Sequence, residues 1–123
     1  MYLAQFIAQA VTYNPASFYA QLGVNTTAPL KGDTTLGTLV AASSRGVTAA
    51  YPQRVNSFGT GAGEWSVWQY DWPAGITTNG SLGEIGMWAS VGSFLSHAIL
   101  VPNVSKGASD TLQCQWGWKY LGA

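Results

Sequence analysis

Few side chains in this sequence can do chemistry, and their spacing decides which chemistry is open to them. The chain has one His, one Cys and five acidic residues in 123. His97 lies in Leu95-Ser-His-Ala-Ile99 with no second His nearby, so a hydrogen-bonded sheet histidine is expected rather than a metal ligand or catalytic base. With one His, one Cys and scattered carboxylates there is no ligand spacing for a metal. Glu64 and Glu84 are the pair that a glycosidase reading would use. Such enzymes need a long groove, which a chain of this size has little surface to build. The expectation is therefore that Glu84 bonds backbone amides near the turn Thr77 to Gly83, and that Glu64 stands on a rim. Gly59-Thr-Gly-Ala-Gly63 resembles a phosphate loop only superficially, because no Lys-Ser/Thr and no helix follow. Lys106 and Asp110 are spaced to pair across a loop, for ~0–1 kcal/mol if exposed, or to meet another subunit. These residues point to no catalytic site and no cofactor.

Composition narrows the partners. Charged residues are 8% of the chain and formal net charge is zero, against roughly a quarter charged in ordinary soluble domains. A surface so sparsely charged is poorly protected against self-association. Five basic residues, none clustered, argue against a nucleic-acid surface. No apolar run approaches the ~20 residues that span a bilayer. Near the start, Leu3 to Val11 is apolar but lacks a positive flank and is too short for a secretory signal. Without one, the sequons at Asn25, Asn79 and Asn103 are read as accidental. Cys114 can form no internal disulfide and is expected as a buried structural thiol. Stability must then come from packing and assembly, which suits a reducing compartment. Six Trp and six Tyr favour interfaces, where one edge of the ring is apolar and the other hydrogen-bonds.

The elements that position these residues read as strands. In Thr111 to Tyr120, Leu112, Cys114, Trp116, Trp118 and Tyr120 fall on one side, and Gln113, Gln115, Gly117 and Lys119 on the other. That period of two predicts one face on a core and one towards water or a partner. Glu84–Trp88 and Ser93–Val101 are the strands before it, with Pro102 to Asp110 as the final connection. Glu64 to Trp72 carries aromatics on both faces, so it is expected to be covered on both sides, within the fold or across a subunit boundary. Tyr51 to Phe58 is a candidate strand that Pro52 confines to a strand start or a sheet edge. Ser17 to Leu22 is a short strand, Asn25 to Asp33 a loop, and Thr34 to Ala41 a short strand or an irregular edge segment. Ala42 to Thr48 reads as a mobile loop, and Thr77-Thr-Asn-Gly80 as a turn on its Asn-Gly signal. Met1 to Tyr13 is an arm or short helix, ended by Asn14-Pro15. Residues 14–123 then form one all-β domain, a single antiparallel, jelly-roll-like β-sandwich.

Three segments resemble a family of small virion proteins of tailed bacteriophages, the tail-fibre-like, tail and capsid-decoration β-sandwich proteins. Gln21 to Leu36 (QLGVNTTAPLKGDTTL) is similar to an early LGTGTTAP…GDTAL segment. Ile76 to Trp88, with Leu82-Gly-Glu-Ile-Gly-Met-Trp88, looks like a turn-and-strand ITEAGLF/W. Leu100 to Lys119, with Val104-Ser-Lys-Gly-Ala-Ser-Asp-Thr-Leu112 and Trp116, is similar to an ending VTKTASDTLTVTWT. The chain departs from the pattern at Leu82-Gly83 and in the Trp load of Glu64 to Trp72. The resemblance implies a β-sandwich structural subunit in a homo-oligomer or lattice, with no catalytic residues to carry over.

The expected function is thus a non-enzymatic virion protein, assembled in the host bacterial cytoplasm. It would decorate the head or stand in the tail or a fibre, with size favouring the head. Its partners would be copies of itself and major capsid or tail proteins. The residues expected at partner contacts are Leu3, Phe6, Ile7 and Tyr13 of the N-terminal segment and Trp65, Trp68, Tyr70 and Trp72. The alternative is a carbohydrate-binding module that holds a host surface glycan on exposed Trp rings. A sugar platform needs coplanar exposed aromatics beside Asn, Gln or Asp, whereas a lattice subunit covers its aromatics.

Overall fold

A computed structural model describes residues 17–89 and 93–121. Within them the chain forms seven strands: β1 (Tyr19–Gly23), β2 (Arg45–Gly46), β3 (Gln53–Phe58), β4 (Gly61–Trp72), β5 (Asn79–Trp88), β6 (Phe94–Lys106) and β7 (Leu112–Lys119). They make two antiparallel sheets, ordered β2-β1-β5-β6 and β3-β4-β7, packed as a sandwich. The all-β architecture read from the alternating sequence is the one observed.

The core follows from that alternation. Trp68, Tyr70 and Trp72 of β4 lie opposite Trp116, Cys114 and Leu112 of β7 and share one face. They meet Ala20 and Leu22 of β1 and Leu82, Ile85 and Met87 of β5. Phe18 stacks on Trp68 with centroids 5.6 Å apart, and Trp68 packs tilted against Trp118 at 5.8 Å. Tyr120 departs from the pattern. It lies past the end of β7, 46% exposed, with its N–H on Glu64 O and its hydroxyl 3.1 Å from Ser66 Oγ.

Three other expectations are corrected. Ala42 to Thr48 is not a free loop: Ser43 is fully buried, its hydroxyl bonds Leu22 N and Val40 O, and Arg45–Gly46 is β2. Trp72 Nε1 donates to Ser43 O at 2.7 Å, which ties the segment to β4. The turn before β5 falls earlier than the Asn-Gly signal, because Asn79 and Gly80 already belong to the strand. Pro102 does not end β6, which runs on to Lys106. β6 is an edge strand whose pairing with β5 shifts on either side of Leu82, where a residue without N–H is tolerated. Thr34 to Ala41 is irregular, touching β1 through a bridge from Leu39 to Gly23.

The outer face of the three-stranded sheet carries a polar network beside Trp65 and Val67. Gln69 lies across from Gln115 and Asp71 from Gln113, and both pairs are hydrogen-bonded at 2.9 Å. Burial alone would raise the Asp71 pKa. Hydrogen bonds from Thr48, Gln113 and Gln69, together with the Arg45 charge, outweigh it and hold the pKa below the usual carboxylate value. A lowered folded-state pKa adds stability above the unfolded value near 4, and that stability is lost as pH falls through the folded one. Unfolding midpoints measured between pH 5 and 2 should therefore fall less steeply for Asp71→Asn than for the wild type. The Tyr70 hydroxyl is fully buried with no hydrogen-bond partner among the described residues. Burial, and secondarily the Cys114 sulfur, push its pKa up, so it stays a neutral phenol. Removing an unsatisfied buried hydroxyl relieves its desolvation cost. Tyr70→Phe should retain or raise the thermal midpoint, by up to the equivalent of about 1 kcal/mol.

Candidate functional site

The second face of the four-stranded sheet is covered as well, and the covering holds a row of ionisable side chains from three parts of the chain. Tyr19 lies opposite Trp88 across β1 and β5 and stacks on it at 5.6 Å. Phe94 packs on Trp88 at 4.8 Å and lies beside His97 at 5.9 Å. Glu84 points to this same side and is fully buried. Its carboxylate accepts hydrogen bonds from Gly37 N (3.1 Å) and Thr38 N (2.8 Å), and His97 Nε2 lies 2.9 Å away. The segment 24–39 is thereby laid across the sheet, with Val24 N on Thr38 O and Val40 N on Leu22 O at its two ends.

His97 stands between two carboxylates. Beyond the ring, Nδ1 is 3.6 Å from Asp33 Oδ2, longer than a hydrogen bond. Asp33 in turn caps its own turn by accepting from Leu30 N at 2.8 Å. A cavity of about 100 Å³ opens beside this row, lined by Asn25, Thr27, Leu30, Asp33, Thr35 and His97 among others. Nδ1 itself is closed off from solvent and has no hydrogen-bond partner among the described residues. Each ring nitrogen therefore faces a carboxylate. The row is suited to holding a loop down. Among the described residues no group of three or more His, Cys, Asp or Glu could hold a metal ion.

Sequence reasoning expected Glu84 to bond backbone amides and His97 to be a hydrogen-bonded sheet residue, and both are. The amides are those of Gly37 and Thr38, not those of Thr77 to Gly83. Two glycines make the room. Gly23 pairs with Glu84 and Gly86 with His97. A Cβ on Gly23 would run into the Glu84 carboxylate and lie 2.6 Å from Thr38 O, while one on Gly86 would lie 2.8 to 2.9 Å from Phe94, Leu36 and Trp88. Those small residues beside a strand Glu and a strand His were the available signal.

The other candidates do not gather around this row. Glu64 is exposed on the other sheet and pairs with Arg54. Lys106 does not pair with Asp110: its Nζ donates to Pro73 O at 3.0 Å inside the fold. Asp110 accepts from Gly107 N at 2.7 Å within the same loop. Cys114 is partly buried against the core, and burial pushes its thiol pKa up to about 11, away from nucleophilic use. Of the residues expected at partner contacts, Leu3, Phe6, Ile7 and Tyr13 lie outside the described residues. Trp68, Tyr70 and Trp72 are taken up by the chain's own core, so a partner cannot reach their side chains in the folded subunit. Trp65 is half-buried, with Phe58 tilted against it at 5.5 Å and the Lys119 ammonium over its ring at 5.7 Å. No family model matches the chain, and neither a curated protein nor a solved structure matches it.

Replacing Glu84 by Gln turns one of its acceptor oxygens into a donor that confronts the N–H of Gly37 or of Thr38. Glu84→Gln should lower unfolding free energy by about 2–4 kcal/mol. It should also speed amide exchange at Gly37 and Thr38 more than in the core strands. Both are read by denaturant titration and by exchange followed residue by residue.

Proposed function

We propose that this chain is a non-enzymatic structural subunit of a tailed-bacteriophage virion, a head-decoration or tail or fibre protein that works through contacts with its own copies and neighbouring virion proteins. The observation that carries this reading is the fate of the tryptophans. Trp68, Trp72 and Trp88 are buried, and Trp65, Trp116 and Trp118 are half-covered by the chain itself. Trp65, the indole on the polar Gln- and Asp-bearing face, has a tilted ring against it and a cation above it. Among the described residues that arrangement offers no exposed run of coplanar rings on which a saccharide could stack, which weighs against the glycan-binding alternative.

Other features fit the same reading. The sandwich is the fold that the resemblance to small phage virion proteins implies. Its surface exposes Leu30, Val101, Tyr120 and Leu121 within a chain of zero formal net charge. Repeated copies let a weak contact hold through multivalency. The apolar N-terminal segment Met1 to Tyr13 is assigned as the reaching arm.

Mass in solution, measured together with binding to polysaccharide, tests the reading. A self-associating protein without glycan affinity is expected, whereas a stable monomer that bound glycans would favour the carbohydrate module. Deleting Met1 to Thr12 should leave the thermal unfolding of the sandwich intact and abolish incorporation into particles. Incorporation at the wild-type level would reject the arm.

A further inference from the structure

We infer that the open edge of β7 is where a second copy of this chain docks, strand against strand, to continue the three-stranded sheet across two subunits. The inference rests on the reading of the chain as a self-assembling subunit and names the surface through which it does so.

The two sheets have four edges, and three are blunted. β2 is two residues long. β6 carries Pro102 and pairs with β5 through three register shifts. β3 follows Pro52, bears Arg54 and has a shift between Val55 and Ser57. Short strands, prolines, bulges and charges are the devices that stop sheet edges from recruiting further strands. β7 has none of them but a single terminal charge: eight residues in unbroken register with β4, no proline, and Lys119 at the last position.

The register shows which main-chain groups face outwards. Tyr120 N donates to Glu64 O, so Tyr120 and Glu64 form a hydrogen-bonded pair. In an antiparallel ladder such pairs alternate with non-bonded ones. Trp118, Trp116, Cys114 and Leu112 therefore turn their main chain towards β4. Gln113, Gln115, Gly117 and Lys119 turn theirs to the open side, where no described strand pairs with them. An extended strand is the ligand that such an edge recognises.

Charge selects a second copy lying antiparallel. β7 is flanked by Asp110 at one end and closed by Lys119 at the other. Two antiparallel copies related by a two-fold axis place each Lys119 at the Asp110 end of the other and keep the two ammonium groups apart. The exposed Tyr120 and Leu121 continue from the same end and would be covered alongside.

The test uses Gln115, whose N–H points outwards, so Gln115→Pro removes a docking donor without breaking the ladder to β4. Gln115→Ala is the control. It loses the side-chain bonds to Gln69 and Tyr51 but keeps the N–H. By sedimentation, the proline variant should associate about 10–30-fold more weakly and the alanine variant close to the wild type. In the wild type, amide exchange at Gln113, Gln115, Gly117 and Lys119 should be slow and should quicken on dilution. That measurement decides alone if the proline variant fails to fold. A proline variant that associates as tightly as the wild type would place the contact elsewhere and overturn this inference while leaving self-assembly standing. Slow exchange that persists in dilute monomer would mean that the chain covers its own edge, and would overturn it too. A wild type that stays monomeric at every concentration, with fast exchange at these amides, would remove the assembly reading itself.

Discussion

A carboxylate with no solvent contact must find all its partners inside the protein, because an unpaired buried charge costs far more than a single contact returns. Glu84 meets that requirement with two main-chain N–H groups and an imidazole. Those partners come from a segment 46 and 47 residues earlier and from the neighbouring strand 13 residues later. The consequence is architectural. An antiparallel sheet needs only one buried face, yet here the second face of β1 and β5 is roofed by segment 24–39. Leu36 of that roof meets Trp88 and Phe94 over Gly86, and Gly23 and Gly86 leave the space it occupies.

The two sheets consequently differ. One is covered on both sides, which is why β5 is buried from Leu82 to Trp88 without alternation. The other carries on its outer face a network of glutamine amides around Asp71, beside which Val67 and Gln69 are buried. Side-chain amides on adjacent strands satisfy one another there with little charge. Its aromatic corner of Trp65 with Phe58 and Lys119 is closed on itself.

Strand content was legible wherever a face was apolar and its reverse polar. Leu112 to Lys119 could be read residue by residue because Cys114, Trp116 and Trp118 alternate with Gln113, Gln115 and Gly117. The aromatic run in β4 was legible as a covered strand, but not which cover it had, since a ring that meets its own core and one that meets a partner look alike in sequence. Pro102 and Asn79-Gly80 misled for the opposite reason. They are strong local signals that an edge position and a register shift accommodate. The Asp33–His97–Glu84 row was out of reach because it depends on where segment 24–39 lands, and loop residues carry no period that fixes a landing site. What the sequence did offer was the pair of glycines that face Glu84 and His97 across the sheet.

Lys106 and Glu84 are both interior, so the ten formal charges of the chain leave eight for the exterior, four of each sign. Arg54 and Glu64 spend themselves on each other. What remains casts almost no field beyond a Debye length. Encounters with this molecule are therefore unsteered: a partner gains no attraction at a distance, and its rate of arrival should scarcely register the ionic strength. Selection must happen after touching, through outline, main-chain register and the few charges at the contact itself, so fidelity in any assembly built from this subunit resides in how slowly the right neighbour leaves.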